Sequence, residues 1–203
     1  MTNSDAQHDT NPEAEDDDEH ELHDESDALP PPISSPSSPR TWLVIAGVCT
    51  ALLAISWLAG ARQLAPIEAA SDGSVLVQEL SFGQRLNGLG RSLVFLPLAT
   101  LGLAFGMFSF AFVRQRPIGD AVALLARCAA VASITMLVWL APIEVRFLKQ
   151  SINLLGPPIV AGLVLIPTFR LSPRDAALAT GFAILGLVLL TLFALVVVWA
   201  MSV

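Results

Sequence analysis

Five polar side chains stand out in a chain that is apolar over most of its length: Glu68, Asn87, Arg127, Glu144 and Asn153. The two glutamates close identical pentapeptides, Leu64-Ala65-Pro66-Ile67-Glu68 and Leu140-Ala141-Pro142-Ile143-Glu144. Two carboxylates in matching surroundings can face one cation path or one partner. The plainer reading is a helix stop, in which proline ends the helix and glutamate marks the water boundary. Asn87 and Asn153 recur in the same manner, inside related segments, and admit the same two readings. Arg127 is the one ionisable residue well inside a long apolar run. A charge at that depth is a candidate for binding an anionic headgroup or substrate. It also lies close enough to Asp120 to pair with it, or to snorkel to the membrane interface.

Other chemistry has little to stand on. The sequence holds no HExxH, no phosphate-binding loop, no GxSxG and no metal-spaced Cys/His set. Gly88-Leu89-Gly90 lacks the third glycine of a dinucleotide loop. There is no tyrosine, and no histidine follows His23. Cys49 and Cys128 lie in apolar runs outside any CxxC and read as small buried hydrophobes. No catalytic residue, metal or cofactor is therefore expected, and no basic patch suits a nucleic acid.

The chain that must position these residues has 203 residues, 54% of them hydrophobic and 14% charged. Its charge is unevenly shared. Residues 1–39 hold 12 of the 18 acids and no Lys or Arg. Residues 40–203 hold eleven basic and six acidic side chains, so the body is +5 although the whole chain is −7. Residues 1–28 are acidic and poor in large apolar groups, which predicts a disordered tail. His20 and His23 lie there among acids, where the choice is between loose divalent-metal binding and a solvated tail. Residues 29–40 are a Pro/Ser linker.

Residues 41–203 read as an all-α membrane domain. A transmembrane helix needs roughly 17–25 mostly apolar residues. Spans are expected at 41–61, 92–113, 120–142, 151–169 and 176–201. The first starts too late for a cleaved signal peptide and is expected to be retained. The fourth carries Pro157, Pro158 and Pro167, so it either spans as a kinked helix or is re-entrant, which leaves four spans. Between the first two, residues 62–91 are expected along the interface or against helix ends. Trp42, Trp57, Trp139 and Trp199 lie near span ends, as interfacial anchors do.

A parallel internal repeat organises the spans. After the shared Leu-Ala-Pro-Ile-Glu, Gln84 to Val94 matches Gln150 to Val160 at five of eleven positions, among them Asn87 and Asn153. Arg114-x-x-Pro117-x-x-Asp120 then resembles Arg170-x-x-Pro173-x-Asp175. Five spans put Arg40, Arg114, Arg116, Arg170 and Arg174 on the N-terminal side, and Arg62, Arg85, Arg91, Arg146 and Lys149 opposite. That tie under the positive-inside rule is tipped by Arg127 toward a cytoplasmic N-terminus. Ten of eleven basic residues are arginine, which suggests a GC-rich bacterial source and so the inner membrane.

The resulting expectation is a polytopic membrane protein that is not an enzyme, acting as an accessory or scaffold subunit. The alternative is a small oligomeric channel or transporter-like protein with a path near the glutamates and asparagines. The bilayer is the first partner. Another membrane protein or a second copy is expected to pack on small-residue faces such as Gly102 and Gly106.

Overall fold

The computed structural model describes residues 38–61, 64, 67–69, 75–77, 80–143 and 145–201. The acidic tail, nearly all of the linker, and Glu144 lie outside the described residues. Five helices follow in order: α1 (Pro39–Leu58), α2 (Phe82–Arg114), α3 (Ala121–Met136), α4 (Arg146–Phe169) and α5 (Pro173–Met201). Each is long and apolar enough to cross a membrane, α3 when its 3-10 continuation Leu137–Leu140 is included. A small antiparallel ladder, β1 (Ile67–Ala69) with β2 (Val75–Val77), stands between α1 and α2. Glu68 pairs with Leu76 in its register.

Several boundaries differ from expectation: α4 begins at Arg146 and α5 at Pro173, and two further shifts have clear causes. The linker's last residues, Pro39 and Arg40, already form the first turn of α1, where proline's missing N–H and set φ cost nothing. More consequentially, α2 starts at Phe82 and not near 92, so a third of the segment expected along the interface is helix. Gly83, Gly88 and Gly90 argue against helix by propensity. A capping box overrides them: the Ser81 hydroxyl accepts from Gln84 N, and the Gln84 side chain accepts from Ser81 N. Tertiary contact supplies the rest, because the Trp57 ring occupies the space where a Cβ on Gly88 would stand.

The helix ends are set by local chemistry. After α1, Gly60 adopts φ +69, and Ala61 N bonds back to Ser56 O at 3.0 Å, a Schellman closure. The α2–α3 and α4–α5 turns use the same closure on non-glycine residues. Gln115 has φ 51 and Arg170 has φ 52; Arg116 N reaches Ala111 O and Leu171 N reaches Ile166 O, both at 3.0 Å. Proline follows two residues after Gln115 but three after Arg170. The alignment of Arg114 with Arg170 is thus one residue out of step with the backbone. Asp120 caps α3 by accepting from Val122 N at 2.9 Å.

α2, α3, α4 and α5 form a ring in which each packs on the next and α5 closes onto α2; α1 lies outside, mainly against α3. α2 and α5 run antiparallel. A Cβ at Gly106 would stand 2.6 Å from Ala179 O and 2.7 Å from Ala183 N, and one at Gly102 would stand 3.3 Å from Ala183 O. The small-residue pair therefore receives α5 of the same chain, and both glycines are buried there. Self-association or a partner has to use other faces.

Packing is uneven along the ring. At the end of the two Schellman turns, Met107, Phe110, Leu124, Cys128, Leu165 and Phe169 form a tight core. Arg114 donates to Asp175 at 2.8 Å and ties the end of α2 to the start of α5. Toward the opposite end the packing loosens, and among the described residues α5 is exposed from Thr191 to Ala200.

Two expectations follow. Gly106→Leu overpacks the α2–α5 contact and lowers stability by about 1–3 kcal/mol, whereas Gly181→Ala, where a Cβ meets nothing within 4 Å, is neutral or stabilising. Thermal unfolding of the purified variants measures both. A double-mutant cycle on Arg114→Gln and Asp175→Asn gives a coupling of about 0.2–1 kcal/mol, since Arg114 is half exposed.

Candidate functional site

Where the packing loosens, two cavities open on either side of one aromatic pair. Phe95 on α2 and Trp139 on the 3-10 turn have ring centroids 6.0 Å apart, tilted by 41°. Both rings line both cavities.

The inner cavity, about 500 Å³, lies inside the ring. α2 contributes Ala99, Gly102 and Leu103; α4 contributes Pro157, Pro158 and Ala161. Polar atoms are few, from Thr135, Asn153 and Thr180. Two of the three hydroxyls and amides are committed locally: Thr135 donates to Ala132 O and Thr180 to Ala176 O. The prolines shape the wall. Pro157 and Pro158 have no N–H to offer the carbonyls of Asn153 and Leu154, so α4 loses two helical bonds beside the cavity. Pro97 does the same to Leu93 on α2. One turn beyond Leu103 and Ala161, Met107 and Leu165 are 1% and 0% exposed, within the packed core of the turn end.

The outer cavity, about 410 Å³, is more polar. Gln84, Asn87, Arg91 and Ser92 line it from α2, and Trp57 from α1. The Trp57 indole N–H donates to Ser92 Oγ at 3.0 Å, and Ser92 in turn donates to Gly88 O. Arg85 bonds Leu80 O and Leu58 O, fixing the end of α1 against the start of α2. The wall of the outer cavity is thus held in place from both helices.

One stripe of α2 joins the two cavities. Gln84, Gly88, Arg91, Phe95, Ala99 and Gly102 follow at steps of three and four, which is one helical face. The stripe is polar at its start and apolar from Phe95 onward.

The five residues singled out by sequence separate into distinct places. Asn87 and Asn153 lie at this open end, one on each cavity. Glu68 is placed only by its backbone in β1, and Glu144 lies outside the described residues. Arg127 belongs to the other end. It is 2% exposed, with its guanidinium carbon 5.8 Å from the Trp42 ring centroid and 5.6 Å from that of Phe169. Cation–π contact of this kind helps hold a buried guanidinium. Asp120 puts its carboxylate on the α3 N-terminus. Among the described residues, no group of three His, Cys, Asp or Glu side chains converges to hold a metal.

Sequence reading missed Phe95, Arg91 and Ser92, and it read Trp57 and Trp139 as interfacial anchors. The available signal was the three-and-four stripe, hidden because α2 was begun ten residues late. Trp199 is 70% exposed, as an anchor would be.

Ser92→Ala leaves the Trp57 N–H without its acceptor and is expected to destabilise the protein by about 1–3 kcal/mol. The same substitution should red-shift or quench the Trp57 emission, measured against a Trp57→Phe background. Comparison of the chain with protein-family models, with curated proteins and with solved structures finds no match.

Proposed function

We propose that the chain is an integral membrane protein of five spans, with its N-terminus in the cytoplasm of a bacterial cell, acting without catalysis as a small accessory subunit. The observation that carries the membrane reading is the five long apolar helices. The uncovered apolar side chains on their outward faces support it, such as Leu43, Val44 and Ile55 on α1 and Leu192, Phe193 and Val196 on α5. Hydrocarbon leaves such surface without penalty, whereas water would not.

The orientation rests on Arg40, Arg114, Arg116, Arg170 and Arg174, joined by Arg127 on the same end of the bundle. The accessory role rests on α5, where Leu192, Phe193, Leu195, Val196 and Val198 are exposed on all sides of the helix among the described residues. Another membrane helix packed there would cover them. Duplication of an ancestral helix unit is supported by the two matching Schellman turns at Gln115 and Arg170. The channel or transporter alternative is less well supported, because among the described residues no charged side chain lines the inner cavity.

Alkaline extraction should leave the full chain in the membrane fraction. A fluorescent protein that matures only in the cytoplasm should glow when fused before Met1 and stay dark when fused after Val203. Signal from both fusions would mean an even number of spans and would remove α4 from the count. Co-purification of a stoichiometric membrane protein, lost on Phe193→Glu, is the expected mark of a subunit; flux through the isolated protein in vesicles, abolished by Glu68→Gln with Glu144→Gln, would overturn it.

A further inference from the structure

We infer that the paired cavities form a binding site for one anionic phospholipid, with the headgroup in the outer cavity and an acyl chain in the inner one. The inference rests on the membrane reading and adds the ligand.

Three observations carry it. The first is the ordered change of character along one face of α2: Gln84 and Arg91 lie toward one end, Ala99 and Gly102 toward the other. At about 1.5 Å per residue, the stripe is roughly 27 Å long, the scale of a lipid leaflet and more. A ligand matched to it must be polar at one end and extended and apolar beyond. The second is charge. Among the described residues, Arg91 is the one charged residue lining either cavity. A guanidinium with Asn87 one turn and Gln84 two turns before it offers donors suited to a phosphate diester. The third is form. The inner cavity is about 500 Å³, within the range of small-molecule sites, and its wall is apolar apart from the few groups named above. One turn past its lining residues Leu103 and Ala161, the bundle interior is the packed core around Met107 and Leu165.

The Phe95–Trp139 pair stands between the two cavities and lines both, so it marks the boundary between headgroup and chain. Amphipathic aromatic rings prefer that level of a bilayer. Gly102, Ala183 and Leu187 line the inner cavity and also meet in the α2–α5 contact, which couples the site to that contact.

The test uses the full chain in nanodiscs of equal phosphatidylglycerol and phosphatidylcholine, followed by extraction into mild detergent and native mass spectrometry. Wild type should retain one phospholipid per chain, with phosphatidylglycerol favoured roughly tenfold, the scale of one charge-assisted hydrogen bond. Arg91→Gln should abolish that preference while phosphatidylcholine is still retained. Ala161→Phe, which puts a ring into the inner cavity, should remove both lipids. Equal retention of the two lipids by wild type, unchanged selectivity in Arg91→Gln, or retention of free fatty acid or detergent alone would each overturn the proposal. If Ala161→Phe does not fold, Arg91→Gln alone decides. Failure to remain in alkaline-washed membranes would sink the membrane reading instead, and the two failures are read from different samples.

Discussion

The close approach of α5 to α2 over Gly106 is the contact on which the rest of the bundle depends. With no side chain at Gly106, the α5 backbone at Ala179 and Ala183 comes near enough to pack directly against the α2 backbone. That approach closes a ring that the chain's hairpins alone would leave open, since α2 and α5 are far apart in sequence. It also sets which end is tight. Small residues on α5 (Ala176, Ala179, Ala183) are buried near the Schellman turns, and the large ones of the last ten residues are not. Glycine costs helix propensity in water, about 1 kcal/mol against alanine. Here that cost is offset by dispersion contact along two helices.

From this asymmetry come the cavities. A ring held tight at one end leaves its interior unfilled at the other. Pro157 and Pro158, which remove two helical bonds from α4, lie on the wall of the inner cavity. Trp57, seated on Gly88 and bonded to Ser92, plays the corresponding part for α1 and α2. Its packing keeps the polar start of α2 helical and turned toward the cavity.

Arg127 illustrates why depth along a sequence is a poor guide to surroundings. Seven residues from a helix start, a long side chain is within reach of an interface. In the fold, Trp42 from α1 and Phe169 from the end of α4 flank it, and both come from parts of the chain far from α3. The glutamates show the converse. Their repeated context was plain in sequence, yet a matching pentapeptide carries no information about what faces it. The asparagines, less conspicuous by chemistry, are the pair that reach the cavities.

The amino-acid sequence by itself determined the helices. Long uncharged runs, Asp120 as a cap, prolines after the turns and the Gly102/Gly106 spacing are local signals, and hydropathy and capping act over a few residues at a time. It also contained the stripe from Gln84 to Gly102, since three-and-four spacing is a property of one helix. Tertiary structure alone decided which helix meets the glycines, that Trp57 supports α2 rather than serving as an anchor, and that the open end holds paired cavities. Those outcomes depend on contacts between residues far apart in sequence, such as Trp57 with Gly88 and Ser92 or Gly106 with Ala179, which no local pattern encodes.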